Sequence, residues 1–206
     1  QKQAKNVILF VGDGMSLQAR EMARIISKGM TNGKYNDLLA MEKMPHNCLI
    51  TTSGYDSLTT DSANSASAYA TGHKSVVNAM GVYEDSTKDP FDDPRVENIS
   101  EIVKRSRGMS VGIITQAEST DATPAAMVGH TRRRANQDYL ASEYLEDYHR
   151  PDVIMGGGSS RYIPQSESGS KRHDNQNVIQ EFKDKGYTFV TTSKEMMAAP
   201  SNNPLL

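Results

Sequence analysis

The sequence predicts an α/β fold with a mostly parallel central sheet flanked by helices. Three observations predict it. Continuous apolar runs of strand length recur along the chain, segments with helical periodicity separate them, and glycine or proline marks most boundaries. Strand and helix alternating in this way imply parallel strands joined by crossover helices. At 206 residues the chain can bury a proper core, and length alone allows one or two domains. There is no internal repeat and no low-complexity tract.

Residues 6–11 (NVILFV) form the first apolar run, end at Gly12 and read as a buried strand. Leu17, Met22, Ala23, Ile25 and Ile26 then recur at helical spacing, with Gly29 as the stop. A loop containing Asn32, Gly33 and Pro45 leads to a second strand near 47–53. Residues 62–72, rich in Ala and Ser, predict a helix of small residues. The acidic, proline-interrupted stretch 84–94 reads as a surface loop, and its carboxylate spacing fits no EF-hand calcium pattern. Asn98 with Glu101 resembles a capping box opening a helix whose apolar face is Ile99, Ile102 and Val103.

After Gly108, residues 109–116 predict a strand. A helix near 137–148 presents Leu140, Ala141, Tyr144, Leu145 and Tyr148 on one face. Residues 152–155 predict a strand ended by three glycines. Val178, Ile179 and Phe182 mark a helix, and 187–191 a last strand. Pro204-Leu205-Leu206 stops where a further apolar run begins, as though the next strand had been cut away and the sheet left incomplete.

A net charge of −2 argues against a nucleic-acid partner. No run approaches the roughly 18 apolar residues of a membrane span, and the opening QKQAKNVILF has no cleavable signal pattern. Cys48 is the only cysteine, so no intrachain disulfide is possible.

In open α/β sheets, ligands bind beyond the carboxyl ends of the strands, and four segments fall at such ends. In Gly12-Asp13-Gly14, Asp13 either faces a crevice as a ligand for a hard cation or caps the next helix. In Thr60-Asp61-Ser62, a serine at a helix start lies where backbone N–H groups and the helix dipole favour a phosphate or an alkoxide. The plainer reading is an N-cap. Asp121 and Thr123, two apart, point the same way in extended chain and can share a magnesium ion; otherwise they form a turn before Pro124. In His130-Thr131-Arg132-Arg133-Arg134, guanidinium groups match phosphate oxygens, or else form a solvated basic face. A P-loop and a Gly-x-Ser-x-Gly elbow are both absent.

Together these segments resemble the alkaline phosphatases in type and order. TDSANSASAYATGHK (60–74) is similar to the family's nucleophile segment, NVILFVGDGMS to its first strand and metal-binding Asp, and DATPAA (121–126) to its magnesium-side segment. Arg134 stands eleven residues after Thr123, where the family places its phosphate-clamping arginine. DVIMGGG and KGYTFV also resemble family segments, so the likeness runs along nearly the whole chain.

The resemblance implies phosphate monoester hydrolysis through a phosphoserine, at a site of two Zn2+ ions and one Mg2+ ion. Ser62 would be the nucleophile held at the metals. Asp13 would bridge magnesium and one zinc, Thr123 would ligate magnesium, and Asp121 would hold magnesium-bound water. Arg134 would grip the phosphate, and Asp61 would orient it. Residues 1–206 would be the amino-terminal part of a single α/β domain. The remaining metal ligands lie in the family's other half, so the chain alone is expected to be inactive or nearly so. The family also implies a periplasmic or extracellular location and a homodimer, while charge and hydropathy argue for neither a nucleic-acid nor a membrane partner. None of the five histidines lies in a segment matching a ligand motif; His130 and His173 read as surface or loop residues and His73 as a packed helix end. The rival readings are a sulfatase, a phosphodiesterase using Thr60, or a non-catalytic phosphate- or metal-binding module.

Overall fold

A strand exists only where a neighbour accepts its backbone hydrogen bonds, and this decides which predicted strands form. The computed structural model of the chain describes residues 4–85 and 87–206. The first three residues of the opening segment, and Ser86 of the acidic loop, lie outside the described residues. Two compact units result, Gln1–Thr51 and Thr52–Leu206.

In the first unit, helix α1 (Leu17–Lys28) starts at Ser16, whose Oγ accepts the Ala19 N–H at 3.1 Å. Ser16, rather than Asp13, is therefore the cap. Strands β1 (Met30–Thr31) and β2 (Lys34–Tyr35) form a small antiparallel hairpin. Asn32 and Gly33, both at positive φ, make the turn that the sequence reads only as loop. Residues 6–11 are not a buried strand: they carry no strand pairing, and Phe10 is 86% exposed. Residues 47–53 form no strand either. In both cases the apolar pattern is present, but among the described residues no partner strand lies alongside.

The second unit carries the main core. Helix α2 (Ser62–Thr71) opens on Asp61, whose Oδ1 accepts the Asn64 N–H at 3.1 Å while the Asn64 side chain accepts the Asp61 N–H at 3.1 Å. Its buried alanines Ala63 and Ala66 join Ala122, Ala125 and Ala126 in one cluster. Those last residues belong to or border α4 (Ala122–Ala125), a single turn the sequence does not predict. Pro124 falls in its first turn, where the missing N–H costs nothing.

Between them comes α3 (Ile99–Arg107), opened by the predicted Asn98–Glu101 capping box. Its predicted apolar face goes inside only in part, with Ile102 and Val103 half-buried. Ile99 is exposed, and Ser100 and Glu101 are buried instead. The Glu101 carboxylate lies beside His130 and His149, 3.2 and 3.7 Å from their ring nitrogens.

Strands β3 (Gly112–Glu118) and β4 (Val153–Gly157) pair in parallel, Gly112 opposite Val153 and Ile113 opposite Ile154. Leu205 bridges Val153 on one side and Thr188 on the other, both in parallel. Four parallel rows thus lie in the order 112–118, 153–157, 204–206 and 188–190, and residues 204–206 occupy a place inside the sheet. Helix α5 (Gln137–Glu143) buries Leu140 and Ala141, with Tyr144 and Leu145 just beyond it, but Tyr148 is exposed. Helix α6 (Val178–Asp184) buries Val178 and Phe182 as predicted. Helix α7 (Ser193–Ala198) starts at a Thr192–Glu195 capping box that the sequence patterns above do not anticipate. The result is an α/β fold with a small parallel sheet and flanking helices.

Tyr187 supplies an alkaline stability test. Its ring packs edge-on to Phe182 at 4.8 Å, its hydroxyl donates to the Pro151 carbonyl, and burial pushes its pKa up to about 12. The neutral form is the one the fold favours. The contribution is therefore intact below the unfolded value near 10 and is lost as pH climbs through about 12. The loss amounts to about 3 kcal/mol. Urea unfolding between pH 9 and 12.5 should show this slope in the parent and a shallower one in Tyr187→Phe; identical slopes would refute it.

Candidate active site

The site is assembled at the amino end of α2. There the first N–H groups lack helical partners and the dipole is positive. Asp61 is the cap and Ser62 the first helical residue, half-buried rather than packed in apolar surroundings.

Arg134 is brought to this point by a backbone pairing. Met80 and Thr131 exchange hydrogen bonds of 2.8 Å in each direction, and the Arg134 N–H donates to the Asn78 carbonyl at 2.8 Å. The Asn78 N–H in turn donates to Asp61 Oδ1 at 3.3 Å. Close approach here requires Gly81: it sits at φ +59°, and a Cβ would come within 2.6 Å of the Gly129 carbonyl.

The Arg134 guanidinium spans three acidic or hydroxyl groups. Its Nη1 lies 3.1 Å from Asp61 Oδ2 and 2.8 Å from Ser62 Oγ, and its Nη2 lies 2.8 Å from Asp121 Oδ1. Burial alone would raise the Asp61 pKa. Hydrogen bonds from the Asn64 amide and Arg134 outweigh this and hold the carboxyl below its ordinary value. Burial would likewise lower the Arg134 pKa, but the two carboxylates raise it. The cluster is therefore a fixed cation between two fixed anions, with a hydroxyl against the cation.

Asp61, Ser62, Asp121 and Arg134 thus come together. Of the arginine triplet, Arg133 is exposed, and Arg132 reaches the Val77 carbonyl and Glu84. Thr123 does not alternate with Asp121 in extended chain. Asp121 caps α4, with Oδ1 accepting the Ala122 N–H at 2.7 Å, and Thr123 lies inside that helical turn. The same-side argument from strand geometry fails, although both residues stay at one helix start. Asp13 lies in an exposed turn of the first unit.

Oxygen donors alone are present at Ser62, Asp121 and Thr123. Such a set fits a hard cation such as magnesium and does not by itself enclose a zinc ion, which takes three or more protein ligands, commonly imidazole or thiolate.

Two histidine expectations need qualifying. His130 is a loop residue, as expected, but not at the surface: it is 2% exposed, its ring enclosed by Gly81, Glu101 and His149. His73 is exposed, not packed, and meets the Tyr83 ring edge-on at 5.4 Å. His173 is exposed as expected. Sequence reasoning also misses that Glu101, His130 and His149 meet in one buried group. Only the Asn98–Glu101 box hints at it, and that box explains the carboxylate without the imidazoles.

A family model described as Alkaline phosphatase matches residues 4–206. The chain is 34% identical over 199 residues to the repressible alkaline phosphatase of Saccharomyces cerevisiae, a match covering 92% of this chain and 34% of that protein. Its structure is similar to the crystal structure of Thermus thermophilus alkaline phosphatase, with a TM-score of 0.75 and 27% identity, over 95% of this chain and 38% of that one. It is also similar to a mutant of the TAB5 alkaline phosphatase with Mg bound, with a TM-score of 0.63 and 29% identity, over 76% of this chain and 40% of that one. The matches thus span 34% to 40% of the length of these relatives.

Proposed function

This chain belongs to the alkaline phosphatase family, and from that premise we propose that it supplies the nucleophile side of a phosphate monoester hydrolase. The observation that carries the reading is the 2.8 Å contact between Arg134 Nη1 and Ser62 Oγ at a helix start. A phosphoryl group accepted by Ser62 would have the α2 N–H groups on one side and a guanidinium on the other, both matched to its negative oxygens. Asp61 orients Arg134 and, as cap, fixes Ser62 in the first turn. Attack by Ser62 oxygen on phosphorus releases the alcohol and leaves a phosphoserine, which water then cleaves to inorganic phosphate and free serine.

A serine hydroxyl is a weak nucleophile at neutral pH. Zn2+ and Mg2+, when bound, would supply the lowered hydroxyl pKa and the stabilised leaving oxygen. Ser62 and Thr123 would contribute oxygen ligands and Asp121 would hold magnesium-bound water, with Asp13 assigned on its sequence context alone. These are too few to hold zinc at the serine centre, so the 206 residues by themselves should turn over little substrate. We take 1–206 as part of a single α/β domain of an exported, homodimeric enzyme; this rests on the family alone. Among the described residues no helix is long and apolar enough to cross a membrane.

The phosphodiesterase reading would need Thr60 as nucleophile, yet the arginine contacts Ser62. Acid-quenching an active enzyme carrying this sequence during turnover, followed by peptide mass spectrometry, should place one phosphoryl group on Ser62. A label on Thr60, or none on this peptide, would refute the proposal; steady p-nitrophenyl phosphate turnover by the 206-residue chain that Ser62→Ala abolishes would instead overturn the expectation that the chain alone is nearly inactive.

A further inference from the structure

Away from the serine site, three ionisable side chains meet in the interior of the second unit: Glu101 of α3, His130 of the loop leading to Arg134, and His149. Their side chains are 7%, 1% and 0% exposed. Each imidazole has one nitrogen on a backbone carbonyl. His130 Nδ1 lies 2.6 Å from the Gly81 carbonyl, and His149 Nε2 lies 2.8 Å from the Glu143 carbonyl. A carbonyl accepts only, so these nitrogens carry protons, and the other nitrogen of each ring, when the ring is neutral, presents a lone pair.

Both lone pairs face the same carboxylate. His130 Nε2 is 3.2 Å from Glu101 Oε2 and His149 Nδ1 is 3.7 Å from Glu101 Oε1, yet neither nitrogen makes a hydrogen bond of acceptable direction. Three side chains bearing electron pairs thus converge in a dry interior, and their donor atoms are two imidazole nitrogens and both carboxylate oxygens. Charging both rings instead would bury two cations against one carboxylate.

We propose that Glu101, His130 and His149 form a buried site for a borderline divalent cation, zinc in the first instance, separate from the serine centre. The ligand atoms lie within 4.8 Å of one another. Tetrahedral zinc, at about 2.0–2.2 Å from each donor, sets its ligands roughly 3.3 Å apart, between the two separations seen. Carbonyl-bound outer nitrogens are the usual support for metal-ligating histidines. With no exposed face, the site is structural and ties α3 and the turn at 149 to the loop that ends in Arg134. Loading should be slow, since entry needs a local opening.

The test is zinc loading of the apo 206-residue chain, followed by metal analysis and X-ray absorption at the zinc edge. The serine-centre residues include no histidine, so imidazole scattering reports this site. The expected result is one zinc per chain with two imidazoles in its shell. His149→Gln should reduce stoichiometric zinc by at least about tenfold, and His73→Gln, which alters an exposed ring, should leave it unchanged. The thermal midpoint should rise on loading and fall back with chelator. An oxygen-only shell, substoichiometric zinc, or a shell unchanged in His149→Gln would overturn the proposal. Should His149→Gln fail to fold, the ligand shell of the parent chain decides alone.

Discussion

Ser62→Ala is expected to lower phosphomonoester turnover, in an active enzyme carrying this sequence, on the order of 10⁴-fold or more, because removing a covalent nucleophile removes the reaction path and not one stabilising contact. Stability should move by no more than about 0.5 kcal/mol. The α2 cap is Asp61, whose bond to the Asn64 amide does not involve Ser62, and the half-buried Ser62 side chain meets a guanidinium that is itself partly exposed. Phosphate binding should survive, since Arg134 and the helix start remain. Turnover within tenfold of the parent, or a collapse of the fold in place of the chemistry, would count against Ser62 as the phosphoryl acceptor.

Arg134→Ala should cost about 10²–10³-fold in kcat/KM, the range seen when one preorganised donor to a developing oxyanion is deleted. Two effects add. The guanidinium that would face the phosphoryl oxygens is gone, and Asp61 and Asp121, each within 3.1 Å of it, lose the cation between them. The uncompensated Asp121 and Asp61 charges would then repel the substrate. Arg134→Lys separates charge from geometry. A lysine has one nitrogen where arginine uses Nη1 for Asp61 and Ser62 and Nη2 for Asp121, so it should recover only part of the loss. Inhibition by inorganic phosphate should weaken in the same order, parent, lysine, alanine. A lysine variant equal to the parent would show that only the charge matters.

What the sequence reveals at this site is what local chemistry dictates. Asp61 before Ser62, with Asn64 three residues on, is a cap written in neighbouring residues, and so is Asn98 with Glu101. Arg134 is legible because its distance from Thr123 matches a family spacing, not because anything near it forces it inward. The failures are of another kind. Residues 6–11 have the composition of a strand, but strand formation depends on a partner, which no local pattern specifies. Ile99 reads as core and Glu101 only as a cap partner, yet Ile99 is exposed and Glu101 lies buried beside two histidines distant in sequence. His130 sits in a run of charged residues, and only the pairing of residue 80 with residue 131 places it inside. α4 hides behind Pro124, which marks a turn in most contexts and here falls where a helix tolerates it.

The row formed by residues 204–206 has a consequence for how the molecule acquires its shape. Leu205 joins Val153 to Thr188, so among the described residues the 153–157 and 188–190 rows are bridged backbone to backbone through residues that follow both of them in the chain. The helices and the β3–β4 pair can form as the chain emerges, but the outer row at 188–190 must wait for residues 204–206. Its capture closes a loop of about fifty residues back to Val153, a step that depends on long-range encounter. Removing residues 204–206 should therefore leave α2 and its arginine in place while detaching the outer row. Hydrogen exchange would report this as a selective gain of exchange at the Thr188 and Val190 amides, which donate to Pro204 and Leu206.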